Sequence, residues 1–256
     1  MIARPLIAGV DGCKAGWIAA IAPADDIARP LIRVVARFAD LLDGPDAPAL
    51  IAVDMPIGLP DRIVGSGRGP EQAVRPLLGG RQSSVFSIPA RAAVEADDYP
   101  QCCLLALAAS DPPRKVSKQG FHLFPKIREI DALMRGRPDL ASRIREVHPE
   151  LAFRLMKGAP LAEPKKVKGA AWLAGLAERR TLLLREGVGE AAMTGPSPRG
   201  AGMDDLIDAL AGLVAASHIA AGRGLPFPNP PLRDSHGIPV AIWGWRDAGG
   251  APSLAT

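Results

Sequence analysis

Four places in the chain put an acid where a fold ordinarily puts something apolar or neutral. Asp11 closes an apolar run in GVDGCKAGW, and Asp54 closes another in AVDMPIGLP. Glu150 follows a third run in VHPE, while Asp205 and Asp208 lie in DDLIDALAGL. The i, i+3 spacing of the last pair puts both carboxylates on one face of a helix. Carboxylates gathered in a poorly solvated site repel one another by several kcal/mol unless protons or cations intervene. A divalent ion is the economical way to keep them ionised. Hard oxygen donors without His or Cys alongside select Mg²⁺ or Mn²⁺ over Zn²⁺. Two such ions about 4 Å apart would support in-line displacement at a phosphodiester, one activating water and the other holding the leaving oxygen.

Each acid also has a structural role open to it. An Asp before Gly is a common turn residue. Asp204 or Asp205 can cap a helix and favour its dipole, and Glu150 can pair with the nearby Arg145. Asp208 is harder to assign structurally, because it lies inside an apolar helical pattern with Leu206, Leu210, Leu213 and Val214. His148 beside Glu150 can carry a proton or simply fill a structural place.

The elements that must position these acids are legible from periodicity. Apolar runs at 6–10, 16–22 and 31–36 read as strands, the first two close enough for a hairpin. A short helix at 38–42 precedes a fourth strand at 50–53, which must lie parallel to the first. Residues 144–147 read as a fifth strand. Helices are expected at 93–109, 124–137, 168–186 (with Trp172 and Leu173 on its apolar side) and 204–221. The fold class is α/β: a five-stranded mixed sheet, three antiparallel strands followed by parallel ones, with helices on both faces. One domain over residues 1–245 is expected, with an insertion or cap at about 60–120 and a flexible tail at 246–256. Beyond residue 225 the chain is Pro-rich, apart from a possible strand at 240–245.

Basic residues are the natural partners of a phosphate substrate. Arg62, Arg68, Arg75, Arg81 and Arg91 face a single acid, Glu71, between residues 62 and 91. With Ser83 and Ser84 they can contact phosphates or form a solvated loop. Lys14, Arg81, Ser83, Ser84, Arg91 and Lys118 are the substrate-binding candidates. Lys165, Lys166 and Lys168 read as solvated surface or as a second phosphate contact. The net charge of +4 and pI near 9.2 permit a polyanionic partner without requiring one. Three cysteines, Cys13, Cys102 and Cys103, form no CxxC pair, which fits a reducing compartment and argues against a zinc site. The N-terminus lacks the features of a signal peptide, and no run reaches the eighteen or so apolar residues of a membrane span. A cytoplasmic protein without membrane association is expected; the oligomeric state is left open.

The segments GVDGCKAGW, AVDMPIGLP, GRQSSVFSIPAR, KIREID, VHPELAFRLMKG and DDLIDALAGL resemble, in order, blocks of the domain of unknown function 429 family, over roughly residues 6–228. That family is described as predicted ribonuclease-H-like nucleases. The last block is also similar to the acidic helix of Holliday-junction resolvases, with Asp205, Asp208, Ala209 and then His218. The resemblance implies a ribonuclease-H-like fold and a metal-dependent nuclease acting on DNA or RNA. Asp11, Asp54, Asp205 and Asp208 would be its metal ligands, two Mg²⁺ or Mn²⁺ ions its cofactor, and Glu150 a further catalytic group. Two alternatives stand beside it: a nucleotide or small phosphate-ester hydrolase or phosphotransferase on a related fold, and a binding protein without catalysis.

Overall fold

In the computed structural model, which describes residues 4–167 and 170–246, the chain begins as a hairpin. Strand β1 (Leu6–Cys13) pairs antiparallel with β2 (Gly16–Pro23) through a two-residue turn, Cys13 lying opposite Gly16. Gly16 takes a φ of 130°, and a Cβ there would stand 2.3 Å from the Val35 carbonyl, so the turn needs glycine. Strand β3 (Leu31–Val35) adds antiparallel to β2, and β4 (Leu50–Val53) lies parallel to β1 on its other side. Strand β5 (Ile144–Glu146) lies parallel to β4.

Among the described residues the sheet has seven strands and not five. Strands β6 (Gly224–Arg233) and β7 (Pro239–Trp245) continue it past β5, in the order β6-β7-β5-β4-β1-β2-β3. β7 runs parallel to β5, and β6 closes that edge antiparallel to β7. The prolines that disguise β6 in the sequence (GLPFPNPPLR) are tolerated because an edge strand need not donate on its outer side.

Helices cover both faces. On one face Ala8, Val10, Trp17, Ile51 and Val53 pack with α3 (Phe124–Gly136) and with Ile88, Val94, Cys102 and Ala106. The 60–120 segment therefore supplies core to that face. Its helix α1 (Gly69–Val74) packs on β6 and β7, and its helix α2 (Tyr99–Ala108) carries Cys102 and Ala106. The helix expected over 93–109 is broken: a single turn at Arg91–Val94 is followed by α2, which Asp98 caps by accepting from Gln101 N at 2.8 Å. On the other face Ile7, Ile18 and Ala52 pack with α4 (Pro149–Lys157), α5 (Leu173–Arg185) and α6 (Met203–His218).

Helix α5 starts later than its sequence pattern suggests. Trp172 stands at its N-cap with its indole N–H on Glu163 Oε2 at 2.8 Å, and Trp172 and Leu173 are exposed instead of packed on the apolar side. Residues 168 and 169 lie outside the described residues, as do 247–256 of the expected tail. Helix α6 runs into a π turn at Ile219–Arg223. The stretch Met203–Arg223 is long and apolar enough to cross a membrane, yet 67% of its most apolar window is buried in the protein's own core, which accounts for its apolarity.

Candidate metal centre

The parallel pairing of β1 with β4 brings two of the acids together. Val10 lies opposite Val53, and the Asp54 N–H continues the ladder to the Val10 carbonyl at 2.9 Å, so Asp11 and Asp54 are neighbours at the same strand ends. Side chains alternate along a strand. Ile7, Gly9 and Asp11 therefore share the face covered by α6, while Ala8 and Val10 point to the opposite core.

Helix α6 crosses that face at near backbone contact. A Cβ on Gly9 would lie 2.0 Å from Leu213 N and 2.1 Å from the Ala209 carbonyl, and one on Gly212 would lie 3.1 Å from Gly9 Cα. Two glycines thus set how closely the helix approaches β1. Asp208 is one turn N-terminal to Gly212 on the same helix face, so it is carried over the strand ends. A ligand oxygen from each of Asp11, Asp54 and Asp208 lies within 4.8 Å of the other two, with Asp11 and Asp208 buried and Asp54 partly exposed.

The electrostatics are those of acids held closer than water would allow. Burial, then Asp54 and Asp208, push Asp11 well above the usual carboxylate range, with Lys165 pulling the other way. Burial and Asp208 push Asp54 up to about 8 against Lys165, helped by Glu146 and Glu150. Burial also raises Asp208, although Lys165 opposes it. Burial alone would lower Lys165, but Asp208, on whose Oδ2 its ammonium sits, outweighs that and holds it above the ordinary lysine value. A cation bound among the three carboxylates would relieve this repulsion.

Glu150 sits beside the trio, at the start of α4. One of its oxygens accepts from Arg179 Nη2 on α5, and the other, Oε2, is buried without a hydrogen-bond partner. Arg145 is not its partner: that guanidinium donates to the Ala141 and Ile144 carbonyls and stacks 4.9 Å over Trp243. The three carboxylates, with an unsatisfied buried carboxylate oxygen nearby, could hold a metal ion.

Asp205 is not in the trio. Its Oδ2 accepts from Gly202 N at 2.8 Å and caps α6, the structural alternative for that residue. His218 is ten positions along α6 from Asp208, about 15 Å by helical rise. It stacks on Trp245 at 4.4 Å, and its Nε2 meets Glu186 Oε2 at 3.0 Å.

A cleft of about 180 Å³ opens beside the trio, lined by Asp11 and Asp54 together with Met55, Val85, Phe86, Leu123, Lys126 and His148. Of the substrate-binding candidates, Ser84 reaches it; its hydroxyl donates to the Arg81 carbonyl at 2.8 Å, and its own carbonyl lies 3.3 Å from His148 Nε2. Lys14 is exposed in the β1–β2 turn, Ser83 is exposed, Arg81 is partly exposed, and Lys118 lies 6.0 Å over the Tyr99 ring. Arg91 is not brought to the cleft: it is buried between Asp131 at 2.6 Å and Asp234 at 2.8 Å. Arg68, which lines the cleft, and Arg75 are both engaged by internal partners. Arg68 pairs with Glu71 at 2.7 Å and Glu146 at 2.6 Å, and Arg75 holds the Ser66 carbonyl at 2.6 Å and Ser87 Oγ at 2.8 Å.

Three participants escaped the sequence reading. Lys165 reads in the sequence as surface or a phosphate contact, and its pairing with Asp208, 43 residues away, is not legible there. Arg179 carries no sequence signal that sets it apart from the other charged residues of its helix, yet it is fully buried against Glu150. Glu146 is an acid inside an apolar strand, a signal of the same kind as Asp11, and it accepts from Ile57 N at 2.7 Å beside Asp54.

Set against known proteins, the chain matches the family model described as protein of unknown function (DUF429) over residues 9–233. No curated protein and no solved structure matches it.

Proposed function

The chain belongs to the DUF429 family, and from that premise we propose that it is a Mg²⁺- or Mn²⁺-dependent hydrolase of phosphodiester bonds in nucleic acid. The observation that carries this reading is the convergence of Asp11, Asp54 and Asp208 within 4.8 Å at the ends of two parallel strands and one core helix. The order β3-β2-β1-β4-β5, antiparallel through β1 and parallel beyond it, supports a ribonuclease-H-like relationship for this part of the sheet.

Asp11, Asp54 and Asp208 would hold the metal, which when bound polarises a phosphoryl oxygen and acidifies water. The protein's own groups do the rest. Lys165 fixes the Asp208 carboxylate and offsets part of its charge. Arg179 holds one oxygen of Glu150 and leaves the other free to accept a hydrogen bond from a water or substrate hydroxyl. His148, whose Nε2–H would donate to the Ser84 carbonyl, keeps Nδ1 as an acceptor beside the cleft.

A second reading, hydrolysis of a nucleotide or other small phosphate ester, is favoured by one observation. Three arginines of the 62–91 segment are spent on internal partners and are not free to grip a polymer backbone. A labelled panel of single strands, duplexes, a DNA–RNA hybrid, a four-way junction and mononucleotides, each with Mg²⁺, Mn²⁺ or chelator, separates the two. Metal-dependent cutting of a polymer is expected, with Asp54→Asn lowering the rate more than about a hundredfold, the upper end of what second-shell changes cost. Turnover confined to small esters would establish the second reading, and no turnover with either metal would refute both.

A further inference from the structure

We infer that the Lys165 ammonium takes the place of a second divalent ion, so that the centre holds one metal ion and not two. This rests on the metal-centre reading above and goes beyond it in fixing the number of ions and giving Lys165 a role.

The first argument is position. Lys165 lies in the connection between α4 and α5, and its side chain reaches the buried Asp208 Oδ2 with Asp204 Oδ2 3.9 Å away. In two-ion centres the ions stand about 3.5–4 Å apart and act on both the attacking and the leaving oxygen. Asp208 is the carboxylate that the core helix brings to the two strand ends. One of its oxygens, Oδ2, already carries a cation of the protein's own.

The second argument is charge. Asp11, Asp54 and Asp208 carry three negative charges when ionised, and Lys165 removes one. The remainder equals the charge of one divalent ion. A second ion would leave the buried group net positive, at a cost that low-dielectric surroundings magnify. The other charged groups around the centre do not alter this balance much. Arg179 is matched by Glu150, whereas Glu71 and Glu146 together exceed Arg68 by one negative charge. Asp205 is engaged by the Gly202 N–H and partly open to solvent, as is Asp204 near Lys165. Lys126, which lines the same cleft, offsets that remaining negative charge.

The third argument is size. Oxygens around an octahedral Mg²⁺ lie about 2.1 Å from it, so opposite ligands stand roughly 4.2 Å apart. Only one pair among three such ligands can be opposite, and adjacent ones stand about 3 Å apart. Three oxygens within 4.8 Å of one another therefore share one ion by drawing in by up to about 1.8 Å. A fixed ammonium beside that ion supplies preorganised positive charge where a second ion would otherwise supply it.

The test is the count of Mn²⁺ ions bound per chain, by calorimetry and by electron paramagnetic resonance, in the unmodified protein and in Lys165→Met and Lys165→Gln. One ion with an isolated-ion spectrum is expected for the unmodified chain. Two ions with an exchange-coupled spectrum are expected once the ammonium is gone, in whichever variant keeps its circular dichroism. Two ions in the unmodified chain would overturn the inference while leaving the metal centre standing. So would a single ion in folded variants. No ion in the unmodified chain would instead remove the metal centre itself.

Discussion

At the scale of single residues, the three carboxylates are in conflict with one another until something positive joins them. Asp54 shows this most clearly, since it is pushed to about 8 by burial and by Asp208. Replacing it should therefore separate function from stability. Asp54→Asn is expected to abolish divalent-ion binding and yet to raise the melting temperature of the metal-free protein. The rise should be about 2–4 °C per kcal/mol of repulsion removed, and larger at pH 9 than at pH 6, where Asp54 is already protonated. Scanning calorimetry in chelator at both pH values checks this; a fall in melting temperature at pH 9 would mean that the carboxylate is stabilising. The acids of this trio were legible in the sequence because each breaks a local rule, two at strand ends and one inside an apolar helix. Their counter-ions were not. Lys165 and Arg179 obey the rules for surface residues, and only the chain's path through α4 and α5 brings them inward.

At the scale of elements, the site depends on how closely α6 lies on β1 and β4. Gly9 and Gly212 leave room for no side chain between helix and strand. Gly9→Ala should force the helix away from the sheet, at a cost of about 3 kcal/mol or more, the upper range for overpacking a core. Divalent-ion affinity should fall with it, because Asp208 moves away from Asp11 and Asp54. Denaturant melts and a Mn²⁺ titration on the same variant test both parts; unchanged affinity in a destabilised protein would break the link between packing and site. The strands and helices nearest the acids were readable from their periodicity. What escaped were elements whose local chemistry misleads. β6 carries prolines that only an edge position excuses, and α5 begins after an exposed Trp172 that looked like core. Arg91 looked like a phosphate ligand and instead joins Asp131 and Asp234, which are 40 and 143 residues away in sequence.

At the scale of the whole molecule, the acids make stability depend on pH in a direction unusual for carboxylates. Asp54 has its folded value raised to about 8, against about 4 when unfolded, and Asp11 and Asp208 are raised as well. The folded state thus binds more protons than the unfolded state in between, and stability falls as pH rises through that range. His148, pushed down by burial, works in the opposite sense only below its unfolded value near 6.5. Between pH 6.5 and 8 the acids therefore dominate. The metal-free melting temperature should drop across that window, and saturating Mg²⁺ should cancel most of the drop; a flat metal-free profile would mean the carboxylates are not in conflict. The net charge of +4 adds little to the case for a polyanion, since much of the positive charge near the cleft is neutralised internally. The most direct test of the account is a crystal structure of the protein with Mn²⁺ and its anomalous difference map. The account predicts a peak about 2.1 Å from one oxygen each of Asp11, Asp54 and Asp208, and a map with no peak among those carboxylates, or with its Mn²⁺ bound elsewhere, would contradict it.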